Sequence, residues 1–259
     1  MKSTIARGAL AALACSALAG CGGGGSDGDG GSSSPAPVER SAAEGSYDGT
    51  TDTGLSIGGV VLETGEFAVL YRRGETIEGV VQGTSTATSG TIASSDAFDY
   101  FLVLQLRLPA TVTGSYVPRQ SLDGAVAAGG QTVRFTSRYQ PGYDTPASLA
   151  AVAGTYAGSA TARGGPGTLT ASVTASGGIT GTTSGGGTTC TFAGTLAPRA
   201  SGKNVFDLSV RFGGGGCVLG TASVSGYAVP VDEGGVQRLY AVGLLPDRSN
   251  AFVAVGRRQ

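Results

Sequence analysis

Apolar and small polar residues alternate through most of this chain, and glycine, proline and aspartate break the alternation at short intervals. Such runs predict half-buried strands joined by tight turns. In the second half the pattern places strands at Gly154–Ala162, Thr168–Ala175, Ile179–Thr183, Thr189–Leu196, Val205–Phe212, Ser223–Val231, Arg238–Leu245 and Ala251–Val255. Turn signals separate them: Gly164-Gly165-Pro166-Gly167, Ser176-Gly177-Gly178, Ser201-Gly202, Gly213 to Gly216, Gly234-Gly235 and Pro246-Asp247. The first half is less regular. Phe67, Val69 and Tyr71 alternate inward, Ile77 and Val81 follow, and then come one long strand over Phe98–Leu108 and another over Thr132–Tyr139. The fold class expected is all-β, with two tandem small antiparallel barrels or sandwiches.

An internal repeat supports the division. Ala42 to Gly49 (AAEGSYDG) matches Ala151 to Gly158 (AVAGTYAG) at an offset of 109, and Phe98-Asp99 matches Phe206-Asp207 at an offset of 108. Tyr47 and Tyr156 recur in it, each followed two residues later by glycine, a pairing read as a core aromatic packed over a glycine gap. Between the halves, Thr145 can cap a helix, Pro146 suits its first position and Gly154 its end. A short helix covering the second core with Leu149 and Val152 is therefore expected.

The N-terminus reads differently. Lys2 and Arg7 precede an apolar run from Ala9 to Leu18, and Leu18-Ala19-Gly20-Cys21 follows. Charged start, short apolar centre and small residues make a secretory signal. The apolar run is too short for a membrane span, which needs about 20 residues. From Gly22 to Pro37 there is no large apolar side chain, so a flexible Gly/Ser tether is expected, with an r.m.s. reach of about 20–25 Å. The organisation expected is a signal peptide over 1–20, Cys21 and tether over 21–38, a first β domain over 39–145 and a second over 146–259.

Composition narrows the chemistry. Charged residues make up 14% of the chain, against about 25% in ordinary globular proteins. Net charge is −1, and the leader holds two cations and no acid, so the remainder is more acidic by two charges. No Lys/Arg-rich run exists, which argues against nucleic acid as a partner. Histidine is absent, so there is no His general base, no Ser-His-Asp triad and no imidazole metal ligand. No metal or cofactor is expected, and no catalytic residue is assigned.

Of the four cysteines, Cys15 lies in the leader and Cys21 directly follows it. Cys190 and Cys217 remain as an even pair in an exported chain, and a disulfide is expected. Their loop would make it worth about 3–4 kcal/mol on chain entropy. Two buried free thiols are the alternative.

The acids lie close in sequence as Glu63 with Glu66, Glu75 with Glu78 and Asp232 with Glu233, all flanking turns where solvated charge is ordinary. Asp99 and Asp207 read as structural groups at turns or strand edges. Tyr71, Tyr100, Tyr116, Tyr139 and Tyr143 would make a protein- or glycan-binding face if exposed, but core packing is the plainer reading. Gly24 to Gly28 fits a nucleophile elbow without its strand and helix, Asp27 and Asp29 start a calcium loop without its later ligands, and Gly202-Lys203-Asn204 lacks the rest of a phosphate loop.

Leu18-Ala19-Gly20-Cys21 with the glycine tether resembles the lipobox of bacterial outer-membrane lipoproteins. The resemblance implies lipidation of Cys21, a membrane partner through that lipid, and delivery to the outer membrane, since Gly22 is not the Asp of an inner-membrane retention signal. Whether the chain faces the periplasm or the cell surface stays open. More loosely, tethered β domains with Gly-x-Tyr repeats are similar to transferrin-binding-protein-like surface lipoproteins, which implies binding of a partner rather than catalysis. The expected function is a non-enzymatic lipoprotein that presents β domains for a binding or structural role. The alternatives are a lipocalin-like carrier of a small apolar ligand and a hydrolase using carboxylates.

Overall fold

The computed structural model describes residues 41–162 and 165–259. The leader, Cys21 and the tether lie outside the described residues. The chain is all-β. The first nine strands are β1 (Gly45–Thr51), β2 (Ser56–Val61), β3 (Glu66–Arg73), β4 (Thr76–Thr84), β5 (Thr86–Thr88), β6 (Thr91–Phe101), β7 (Leu106–Val117), β8 (Ser121–Ala128) and β9 (Gln131–Tyr139). They form an antiparallel sheet in the order β4-β3-β2-β1-β9-β8-β7-β6-β5, and pairing of β4 with β6 closes eight of them into a barrel. A 3₁₀ turn, Pro141–Asp144, and one helical turn, α1 (Leu149–Val152), lead to the second barrel. Its strands are β10 (Gly154–Ala162), β11 (Gly165–Val173), β12 (Gly178–Gly185), β13 (Thr188–Pro198), β14 (Phe206–Phe212), β15 (Ser223–Glu233), β16 (Val236–Leu244) and β17 (Ala251–Arg258). They close in simple sequence order.

All eight strands expected in the second half are present. In the first half the long Phe98–Leu108 strand is instead two strands with a turn at 102–105. The N–H groups of Leu102 and Val103 both donate to the Glu78 carbonyl, and Gln105 turns the chain at φ +58°. No glycine or proline marks this turn, so leucine alternation disguised it. The helix also starts later than expected. Ser148 caps it, its Oγ accepting from the Ala151 N–H, while Thr145 closes the preceding 3₁₀ turn by donating to the Gly142 carbonyl at 2.8 Å. Val152 is buried as expected, and Leu149 packs against the second core.

Strand alternation points apolar side chains into both barrels. In the first, Tyr47, Phe67, Val81, Val112, Tyr116 and Phe135 are buried core residues. In the second, Tyr156, Leu169, Phe192, Leu208 and Phe252 serve likewise. The outward face of β15–β17 is apolar as well: Val229, Val242, Ala251, Val253 and Val255 join the core of the first barrel. Hence β17 is buried from Ala251 to Gly256 on both faces, the continuous apolar pattern of a covered strand. The two barrels therefore share one apolar seam and fall within a single compact unit.

Candidate functional site

Three places merit attention: the seam between the barrels, the hairpin tip at 102–105, and the mouth of the second barrel.

The seam carries several ion pairs between the barrels. Arg199 reaches Glu63 at 2.8 Å, Arg238 reaches Glu75 at 2.9 Å, and Arg72 reaches Glu233 at 3.0 Å. Arg248 stacks over Phe98 with its carbon 4.9 Å from the ring centroid, and Tyr100 donates to the Arg248 carbonyl at 2.8 Å. Between these contacts lies a cleft of about 40 Å³ bordered by Ser46, Asp48, Leu70, Tyr227 and Tyr240. Burial raises the Asp48 carboxyl to about 6, with the Glu233 charge adding to the rise and Arg72 opposing it. The Tyr227 hydroxyl is buried, which pushes its ionisation upward. A space of this size holds one water rather than a substrate.

These contacts answer the question of the close acid pairs. Glu63, Glu75 and Glu233 bridge the barrels, Glu78 pairs with Arg73 at 2.9 Å, and Asp232 accepts the Gly235 N–H of its own turn at 2.6 Å. Glu63, Glu75 and Glu233 thus hold the barrels together, while Glu78 and Asp232 serve their own hairpins.

The repeated Phe-Asp pair does not repeat in structure. Register places Asp99 inside the first barrel with Val81 and Leu108, where Tyr71 donates to it at 2.7 Å. Burial raises the Asp99 carboxyl, and the Tyr71 bond works against that rise. In the second barrel Phe206 points in, while Asp207 points out to Arg199. The offset of 108 against 109 explains the inversion, because one residue of slip turns a strand over.

Tyr100, Tyr116, Tyr139 and Tyr143 are buried. Tyr71 packs against the same core, so no exposed tyrosine face forms. Lys203 pairs with Asp144 at 2.8 Å and holds the linker rather than a phosphate.

The hairpin tip is the feature sequence reasoning missed. Val103, Leu104 and Leu106 are 43%, 58% and 46% exposed, three of the large apolar side chains left in water among the described residues. The signal in the sequence is the leucine-rich run Leu102 to Leu108, whose alternation mimics a continuous strand.

At the mouth of the second barrel, Cys190 and Cys217 form a disulfide. Cys190 points inward from β13, and the bond ties the Gly213–Ala222 connection to the rim. Inward positions of β10–β12 at this end are Ala160, Ala162, Gly165, Gly167, Thr183 and Gly185. Facing them are Phe212 and Phe252, and a cup of about 220 Å³ remains between. Deeper in the barrel only about 50 Å³ is left among Tyr156, Leu169, Phe192 and Leu208.

No known family profile matches the chain, and no curated protein does. Among solved structures, the isotype 1 transferrin binding protein B of serogroup B Neisseria meningitidis aligns over 80% of this chain at 13% identity and a TM-score of 0.36. The chain spans about half of that protein, 52% of its length. A DUF3598-family protein of unknown function from Nostoc punctiforme aligns over 83% of this chain and 94% of its own at 11% identity and a TM-score of 0.28.

Proposed function

We propose that this chain is a lipid-anchored, non-enzymatic binding protein of the outer membrane, held through Cys21 and presenting its fused barrels on a tether. The observation that carries this reading is the Leu18-Ala19-Gly20-Cys21 sequence after a short apolar leader. The seam supports it from another side. One acid of each sequence-close pair, Glu63, Glu75 and Glu233, is held in an inter-barrel ion pair, which suits a rigid presenting body. The apolar 102–106 hairpin supports a contact role, because clustered exposed apolar side chains mark interaction sites. Membrane fractionation of cells expressing the full chain tests the anchor. The wild type should sediment with the outer membrane and the Cys21→Ala variant should not; equal solubility of the two would refute it. Protease treatment of intact cells then separates a surface location from a periplasmic one.

A further inference from the structure

The mouth of the second barrel is built differently from its floor. Inward positions change along the barrel from Tyr156, Leu169, Val173 and Ile179 at one end to Ala160, Ala162, Gly167 and Thr183 at the other. The space those small residues leave is not refilled from across the barrel. A side-chain carbon at Gly165 would meet nothing within 4 Å. The opposite wall is aromatic. Phe212 and Phe252 lie edge to face with centroids 5.3 Å apart, and Phe192 supports both at 6.4 and 6.0 Å. The rim carries Val218 and Leu219 on the connection that the disulfide pins, and Val218 is 63% exposed. No charged side chain borders the cup among the described residues; its polar groups are Thr183, Thr188, Thr161 and backbone.

From this we infer that the cup of the second barrel is a binding site for a small, uncharged aromatic molecule, seated on Phe212 and Phe252 under the disulfide-held rim. The size fits, since an apolar cavity of about 150 Å³ takes benzene and this one is about 220 Å³, room for one or two fused rings. The aromatic wall fits, since a ligand ring extends the tilted and edge-to-face array of Phe192, Phe212 and Phe252. Among the described residues the lining offers no countercharge, and this sets the class, because a buried ionised group without a partner is strongly disfavoured. The inference stands on the second barrel alone and does not depend on the lipid anchor.

Indole serves as the probe and indole-3-acetate as its charged counterpart, each titrated into the isotopically labelled chain and followed by amide chemical shifts. Indole should give saturable shifts centred on Gly165, Gly167, Thr183 and Gly185, and indole-3-acetate should bind at least tenfold more weakly. Ala162→Leu and Thr183→Leu each fill the cup and should weaken indole at least fivefold; Leu104→Ser, on the first barrel's hairpin and not part of the cup lining, should leave it unchanged. If one filling variant does not fold, the other still decides. Lack of saturable shifts up to the solubility limit of indole, shifts centred on the Asp48–Tyr227 cleft, equal binding of the acid, or undiminished binding by a folded filling variant would each overturn the assignment.

Discussion

Tyr47 and Tyr156 stand 109 positions apart and make the same bond. The phenol of Tyr47 donates to the Ala43 carbonyl at 2.9 Å, and that of Tyr156 donates to the Val152 carbonyl at 2.7 Å, each reaching back four residues. Both rings are buried inside the first strand of their barrel, so each ties the incoming chain to the barrel it enters. The glycines two residues later match too. A side-chain carbon on Gly49 would lie 1.9 Å from the Thr136 carbonyl oxygen, and one on Gly158 would lie 2.0 Å from that of Val255, where first and last strands close. Tyr156→Phe or Tyr47→Phe should cost about 0.5–1.5 kcal/mol. Gly158→Ala should cost about 1–3 kcal/mol through strand displacement. Chemical denaturation measures both; no loss of stability in Gly158→Ala would contradict this account of barrel closure.

The seam should respond to pH through Asp48. Its carboxyl is raised from 3.8 to about 6 in the folded chain, so folding favours the protonated form. The stabilisation from that proton is full below about pH 4 and is lost as pH rises through 6. Asp48→Asn should therefore stabilise the protein at pH 7.5, by about 1–2 kcal/mol once partial exposure is allowed for, and should flatten the dependence between pH 4 and 6. Thermal melts across that range check the sign; a loss of stability at pH 7.5 in the variant would contradict it.

The apolar seam should make the two barrels unfold together. Val253 is fully buried against the first barrel, and Val253→Ala should cost about 1–2.5 kcal/mol while the single transition is retained. Val253→Asp should separate the melt into two steps by placing an unpaired charge in the seam. Calorimetry distinguishes the outcomes, and two transitions in the wild type would contradict the shared core.

Breaking the rim disulfide should act locally and globally. Cys190→Ala with Cys217→Ala should cost about 3–4 kcal/mol by release of the closed loop. Hydrogen exchange should rise over the Gly213–Ala222 connection in the double variant. Unchanged protection there would show that its own turns, not the bond, hold it.

The second barrel was legible in the sequence nearly strand by strand because glycine pairs or proline punctuate it. The first was less so, and Gln105 shows why: a left-handed turn without glycine leaves no mark in an alternating leucine run. The seam was illegible for a physical reason. Strand alternation reports which residues face a barrel interior, but Val253 and Val255 are outward residues covered by another barrel, and nothing in their local pattern names the partner. The tyrosine repeat carried real geometry, whereas the Phe-Asp repeat, one position out of step, joined side chains on opposite faces. The cup was written in plain view as Ala160, Ala162, Gly165 and Gly167, yet small residues in strands read equally well as close packing until the facing wall is known.

The anchor remains the foundation of the functional proposal, and intact mass spectrometry of the mature N-terminus tests it most directly. The account predicts a chain beginning at Cys21 and carrying a diacylglyceryl group on its sulfur. A chain beginning elsewhere, or an unmodified Cys21, would contradict it.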